Sequence, residues 1–457
     1  MAGRPPNFTT SRRARFLKLG RLTGAVGSSY LGHAVKAKFQ DAESRARALL
    51  MTNTKNALRV ARTFGELKGA VMKVGQMMSL QPDMFPAEVR EILSSLQSQA
   101  PPVPFAQMRP LLLEELGDKV EREFARISET AYASASIGQV HRATLRDGRE
   151  VVIKIQYPGV ADMVESDLKN LRMFLRSIHQ VTPIKADLDG LFREARERLI
   201  EELDYRLELA NMQEFGELFR RDARFIVPQP VPELSSRRVL TAEYHAGVTA
   251  DQLCQESVPR ERRDRMALYL LDAVLLQFFS FRVLQADPNL ANYSFTDDDR
   301  VILYDFGCVK RFPEPFVEGI RKIARDAFLG RYYLLRADLN AVGYVDKGRE
   351  PLPTNVYRIF GEAFLADCRE SGLIDFGRTH LHTRLYKLHS RYWQKAFDFD
   401  APPDAVYMHR CFGGMYGNLR KLKAGIPVYD LLVRYLSLSD GEVASLASLP
   451  KRAAALR

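Results

Sequence analysis

The apolar pattern along this chain changes period more than once. Residues 41 to 100 repeat apolar positions at helical spacing without β-branched alternation, and Pro101, Pro102 and Pro104 then break the pattern. From residue 117 the character shifts: a Gly117/Asp118 turn signal, then Val140 to Leu145, a turn at Asp147/Gly148, and Glu150 to Gln156, rich in Val and Ile. Two strands joined by a short turn, with RDGR at the bend, account for that stretch. Residues 160 to 218 read as helical, with Leu168, Leu171, Phe174 and Leu175 at spacings of three and four. A further strand is predicted at Arg238 to Tyr244, and the stretches Asp264 to Leu284, Phe316 to Asn340 and Val356 to Asp367 are long and helix-rich. No internal repeat of the solenoid kind is present.

At 457 residues the chain is long enough for two lobes and an extension. Hydrophobic residues at 46% and charged residues at 27% are close to the globular average. The longest apolar run, Met266 to Phe281, is interrupted by Asp272 and Gln277 and falls short of the ~20 residues that cross a bilayer, so no transmembrane helix is expected. The net charge of +11 is unevenly placed, because residues 1 to 40 carry eight Lys or Arg (Arg4, Arg12, Arg13, Arg15, Lys18, Arg21, Lys36, Lys38) and no acid. Such a segment suits a mitochondrial transit peptide, a contact with anionic lipid or a solvated helix face. No secretory signal pattern is visible, so a cytoplasmic protein with peripheral membrane association is the expectation. Cys254, Cys308, Cys368 and Cys411 form no CxxC pair, which argues against a zinc ribbon or a disulfide framework. His380 and His382 form an HxH that reads as surface or packing. Scattered aromatics in the basic segment and the lack of a recognised module speak against nucleic-acid binding.

The candidate chemistry lies in Asp287, Asn292 and Asp305, within DPNLAN and the YDFG that ends the apolar strand VILY. Phosphoryl transfer needs a carboxylate near the attacking hydroxyl and an oxygen-rich pair to hold Mg²⁺ against the phosphates. Here an Asp is followed five residues later by Asn and eighteen later by the Asp of DFG, the spacing of a kinase catalytic loop. A second DFG, at Asp375, Phe376 and Gly377, lacks the upstream Asp and Asn and reads as coincidence. Lys154 falls in the middle of the Val/Ile strand VVIKI, where a charge is costly to bury without a paired acid. No GxGxxG precedes it and no GxxxxGK[ST] occurs anywhere; ASASIGQVH, Ala133 to His141, stands in the loop position. A small strand-containing lobe followed by a larger helical one is the layout of nucleotide-binding, kinase-like folds. The expected architecture is α+β and bilobal, with a basic segment at 1–50, a helical extension at 51–116, an N-lobe at 117–245 and a helical C-lobe at 246–457.

Three further motifs join these: KVGQ (Lys73, Val74, Gly75, Gln76), the alanine-rich ASASIGQVH, and ELD (Glu202, Leu203, Asp204) followed by Glu208. Together with VVIKIQYPGV, DPNLAN and YDFG they resemble the UbiB (AarF) family of atypical kinases over residues 60 to 312. DPNLAN is closer to the mitochondrial-type coenzyme Q kinases than to the HxDxHPGN form of many bacterial members. The resemblance implies that Lys154 binds phosphates and pairs with Glu208, that Asn292 and Asp305 hold Mg²⁺, and that Asp287 occupies the catalytic-base position. It implies that Ala133, Ser134, Ala135, Ser136, Gly138 and Gln139 line the nucleotide, with backbone near Glu243 and Tyr244 as the adenine hinge. Lys73, Gly75 and Gln76 would close over the site and meet Glu202 and Asp204, so that the protein acts as an ATPase more than as a general protein kinase. ATP, ADP and Mg²⁺ are the implied ligands, and isoprenoid lipid precursors, an anionic membrane surface and lipid-biosynthetic enzymes the implied partners. A nucleotide-gated scaffold and a true protein kinase are the alternatives. Two departures stand out: Ser134 replaces the middle alanine of the usual run, and Gln285-Ala286 precedes Asp287 where ordinary kinases have a His.

Overall fold

The alternation of Val151, Ile153 and Ile155 with Glu150, Val152 and Lys154 decides how the first sheet lies in the computed structural model: the first three are buried and the others half-buried. The structure describes residues 103–344 apart from 136, 163, 165–195 and 198, residues 353–391 apart from 372, residues 401–446, and isolated positions between 20 and 52. Two compact units emerge, one comprising residues up to Gln213 with Gln229–Tyr244, the other Glu214–Pro228 with His245–Arg457.

In the first unit β1 (Phe124–Ser134), β2 (Gly138–Leu145) and β3 (Glu150–Gln156) form an antiparallel meander. After β4 (Phe225–Ile226), which belongs to the other unit, β5 (Val239–Glu243) returns to pair with β3, giving the order β1-β2-β3-β5. The β2–β3 turn sits where RDGR predicts it, with Gly148 at φ 90°, a conformation that L side chains resist. One sheet face is covered by the helix Phe105–Leu116, whose Met108, Leu111, Leu112 and Leu116 join Val151, Ile153 and Ile155 in one core.

Strand β1 departs from the sequence reading, which runs from the Gly117/Asp118 turn to Val140 with no strand between. Its sequence FARISETAYAS buries only Phe124 well, and its pairing with β2 shifts register at three places. An edge strand broken by bulges carries no clean two-residue period. The alanine-rich segment likewise is not all loop: Ala133 and Ser134 close β1, Gly138 opens β2, and the Ala135 N–H donates to the Gly138 carbonyl at 2.9 Å across the tip.

The second unit is mostly helical but holds short strands, of which the sequence reading anticipated the apolar VILY and not the others. β6 (Val283–Gln285) pairs with β9 (Val309–Arg311), and between them β7 (Tyr293–Phe295) and β8 (Val301–Leu303) make a hairpin that β4 joins in parallel. The helix Arg260–Leu276 runs into a π-helical turn, Gln277–Phe281, and packs beside the helix Pro403–Leu422. Asp272, fully buried on the first of these, is answered by Arg224 at 2.6 Å and by the Tyr435 hydroxyl at 2.6 Å, so its charge is compensated in place.

Candidate active site

In the first unit, Lys154 faces away from the core side of β3, flanked by Val140 of β2 and Leu240 of β5. Its Nζ donates to both carboxylate oxygens of Glu208, at 2.8 and 2.7 Å. Glu208 comes from the helix Tyr205–Phe219 and is 6% exposed. A strand lysine paired with a helix carboxylate 54 residues on is the partner that the burial cost demanded. The Tyr205 ring lies 5.0 Å from the ammonium and adds a cation–π contact on a second side.

The hairpin tip ahead of this lysine is held by close approach and by buried amide bonds. A Cβ at Gly138 would stand 2.3 Å from the Ile155 carbonyl oxygen, so only glycine lets β2 lie this close to β3 here. Gln139 is fully buried, with its amide accepting from the Val103 N–H and donating to the Val103 carbonyl, both at 2.9 Å. The same Nε2 reaches His141 Nε2 at 2.9 Å, while His141 Nδ1 lies 2.8 Å from the Ser128 carbonyl. A carbonyl can only accept, so Nδ1 carries the proton and Nε2 accepts, and burial lowers the imidazole pKa to match. Ser134 meets the Tyr157 phenol, whose pKa burial pushes up to about 12.

The remaining first-unit candidates have their bonds in the fold. The N–H of Glu243 donates to the Gln229 carbonyl and that of Tyr244 to the Glu150 carbonyl, both at 2.9 Å. The Tyr244 ring stacks under the Arg142 guanidinium at 3.9 Å and meets Tyr132 edge-on. The carbonyl of Glu202 accepts from Gln156 Nε2 at 3.3 Å. Asp204 precedes the helix at Tyr205, accepts the Arg206 N–H at 3.1 Å as an N-cap does, and is clasped by the Arg206 guanidinium, which holds its carboxyl below the ordinary value. Lys73, Gly75, Gln76 and Ser136 lie outside the described residues.

In the second unit the three oxygen-bearing candidates converge through the β7–β8 hairpin and the β6–β9 pair. Tyr293 pairs with Leu303, and the Tyr304 N–H donates to the Asn292 carbonyl at 2.8 Å, so Asn292 and Asp305 leave the hairpin at the same end. Asn292 Nδ2 donates to the Asp287 carbonyl at 3.2 Å, which ties the loop from within and turns Oδ1 into the atom suited to a cation. Asp305 sits at φ 57°, a left-handed conformation that Asp tolerates through its own local bonding, and its Oδ1 accepts the Gly307 N–H at 3.1 Å. One carboxylate and one amide oxygen form a hard donor set that suits Mg²⁺ with water completing its shell.

Gln285 is the residue that sequence reasoning left unassigned. It is 1% exposed; its Nε2 donates to the carbonyls of Tyr304 and, at 2.7 Å, Asp305, while its own N–H donates to Gln277 Oε1 at 2.9 Å. The loop before Asp287 therefore has its support, an amide in place of an imidazole, and the same side chain holds the strained Asp305 backbone. The sequence signals were a polar residue at the end of the apolar run Val283-Leu284 and its place just before Asp287, where ordinary kinases have a His, but neither named the bonds it makes. Among the described residues no group of three or more His, Cys, Asp or Glu is placed to hold a metal, and no helix is long and apolar enough to cross a membrane.

The ABC1 atypical kinase-like domain model matches residues 95–332. The atypical kinase COQ8B, mitochondrial, of Danio rerio is 32% identical over 91% of this chain and 66% of its own length. The probable serine/threonine-protein kinase abkA of Dictyostelium discoideum is 33% identical over 67% of this chain and 57% of its own. The chain thus spans about three-fifths to two-thirds of these two relatives. Among solved structures, the complex structure of Rv3197–erythromycin from Mycobacterium tuberculosis superposes with TM-score 0.60 at 29% identity, covering 86% of this chain and 98% of that one, which establishes the kinase-like fold.

Proposed function

Since this chain belongs to the ABC1 atypical kinase-like family, we propose that it is a Mg²⁺-dependent, ATP-binding atypical kinase or ATPase that supports isoprenoid quinone metabolism, in the manner of ubiquinone biosynthesis. The observation that carries the reading is the bidentate Lys154–Glu208 pair, at 2.7 and 2.8 Å. A lysine so held presents a fixed cation to nucleotide phosphates. In the reading, Asn292 and Asp305 hold the metal and Asp287 accepts the proton of the attacking hydroxyl or water. Magnesium bound there with the nucleotide would neutralise charge on the phosphates. The hairpin tip from Ala133 to Gln139 covers the nucleotide, and the backbone near Glu243 and Tyr244 meets the adenine.

The partners that go with this function are ATP or ADP, isoprenoid lipid precursors, lipid-biosynthetic enzymes, and an anionic membrane surface approached through the basic segment of residues 1 to 40. The test is phosphate release from Mg·ATP with and without anionic vesicles and a phenolic quinone precursor, read beside nucleotide-induced thermal stabilisation. Stimulation by both additives is expected. Nucleotide stabilisation without turnover would favour a nucleotide-gated scaffold, and absence of both would end the reading.

A further inference from the structure

The helix Pro403–Leu422 lies beyond the residues matched by the family model, yet one face of it follows the candidate catalytic loop. Asp404, Tyr407, Cys411, Gly414 and Asn418 recur at alternating spacings of three and four, which places them on a single stripe. Asp404 pairs with Lys310 at 2.7 Å, and Tyr407 lies under the same ammonium at 5.3 Å. Next to that stripe, Arg410 Nη2 lies 3.6 Å from Cys308 Sγ, directly after the Asp305-Phe306-Gly307 turn. The Cys411 thiol, whose pKa burial pushes up to about 12, donates to the Gln285 carbonyl at 3.5 Å.

The last two positions of the stripe meet Pro288. A Cβ on Gly414 would stand 2.2 Å from Pro288 Cγ, so the helix backbone lies against the proline ring with no room for a side chain. Asn418 Nδ2 donates to the Pro288 carbonyl at 2.6 Å. Proline offers no N–H, and the Asp287-Pro288 segment belongs to no strand or helix, so its carbonyls need side-chain donors. Asn292 serves the Asp287 carbonyl from within the loop, and Asn418 serves the next carbonyl from 130 residues away.

We propose that Asn418 is a positioning residue for phosphoryl transfer: with Gly414 it fixes the Asp287-Pro288 backbone, and through Asn292 the metal-binding oxygen, from a helix outside the family-matched segment. The inference rests on the function proposed above. Asn418→Asp keeps the shape but replaces the donor with an acceptor facing a carbonyl. Misplacement of the loop by a fraction of an ångström is expected to lower kcat for ATP hydrolysis by about tenfold to a hundredfold while KM for ATP stays within about twofold. It is also expected to raise, by about tenfold, the Mg²⁺ concentration at which nucleotide stabilises the chain against heat. Gly414→Ala should move the same two quantities in the same direction.

Met415→Ala, at a buried position on the same helix whose thioether donates no hydrogen bond to the loop, supplies the reference for mere destabilisation: its Tm falls with the Mg²⁺ midpoint unchanged. The proposal is overturned if Asn418→Asp resembles Met415→Ala, or leaves kcat and the Mg²⁺ midpoint as in the wild type while Asp305→Asn abolishes turnover. If the wild-type chain shows no nucleotide-induced stabilisation at any Mg²⁺ concentration, the functional reading falls and this inference with it.

Discussion

Two copies of one tripeptide, Asp305-Phe306-Gly307 and Asp375-Phe376-Gly377, occur in the same unit and fold alike locally. In each, the glycine N–H donates to Oδ1 of the aspartate, at 3.1 and 2.9 Å, and in each the phenylalanine is buried, Phe306 against Phe215 and Phe376 against Tyr416. Their surroundings differ. Asp375 ends a two-residue strand and is answered at 2.8 Å by Arg260, which also pairs with Asp264. Asp305 follows a hairpin strand in a left-handed conformation, with its carbonyl held by Gln285 and Asn292 bonded to the residue before it. The tripeptide encodes a turn; chemistry depends on what the preceding twenty residues bring to it.

Neutralising each aspartate gives the largest contrast. Asp305→Asn removes the carboxylate proposed to hold the metal and should lower phosphate release by at least about a hundredfold, with little change in Tm. Asp375→Asn keeps the acceptor for the Gly377 N–H and loses only a half-exposed pair, so turnover should stay within about twofold, with a stability loss below about 1 kcal/mol. Phosphate release and melting, measured together on both variants, check this. Equal losses of activity would mean that the distinction between the copies is not functional.

The supports should differ as well. Gln285→Leu strips a buried amide from two carbonyls, at a cost of roughly 2–4 kcal/mol, and frees the strained Asp305 backbone. Arg260→Ala at the other copy removes a guanidinium whose side chain is 48% exposed and should cost about 0.2–1 kcal/mol. Denaturant midpoints rank the two, and Gln285→Leu alone should also lower kcat.

Much of the first unit was legible because β3 spells its own geometry. Val151, Ile153 and Ile155 recur at every second place in a Val/Ile-rich run, and a lysine in their midst announces a paired acid. That acid was identifiable as Glu208 only through family resemblance, since a partner on a separate helix leaves no mark in strand periodicity. Bulges in β1 erased its period. In the second unit the spacing of Asp287, Asn292 and Asp305 was plain, whereas their supports were not. Gln285 and Asn418 bond to backbone carbonyls, which every residue carries, so no partner residue type betrays them. The stripe on Pro403–Leu422 was hidden for a related reason: Gly413, Gly414 and Gly417 dilute its helical pattern, and Gly414 is there because Pro288 leaves it no space.

The smallest effect sharpens the comparison through acid. Burial alone would raise the Asp375 carboxyl, but Arg260 and the Gly377 N–H outweigh it and hold the pKa below the ordinary value of about 3.9. A carboxyl depressed on folding adds stability that is present in full above its unfolded pKa and is lost as pH falls through its folded pKa. The stability gap between wild type and Asp375→Asn should therefore be constant, at under about 1 kcal/mol, from neutral pH to about pH 5, and should close as pH drops through and below about 4. Urea titrations at half-unit pH steps read the gap directly. A gap that widened in acid would mean that Asp375 is proton-bound in the fold, which would remove the ion pair that sets this copy apart from Asp305.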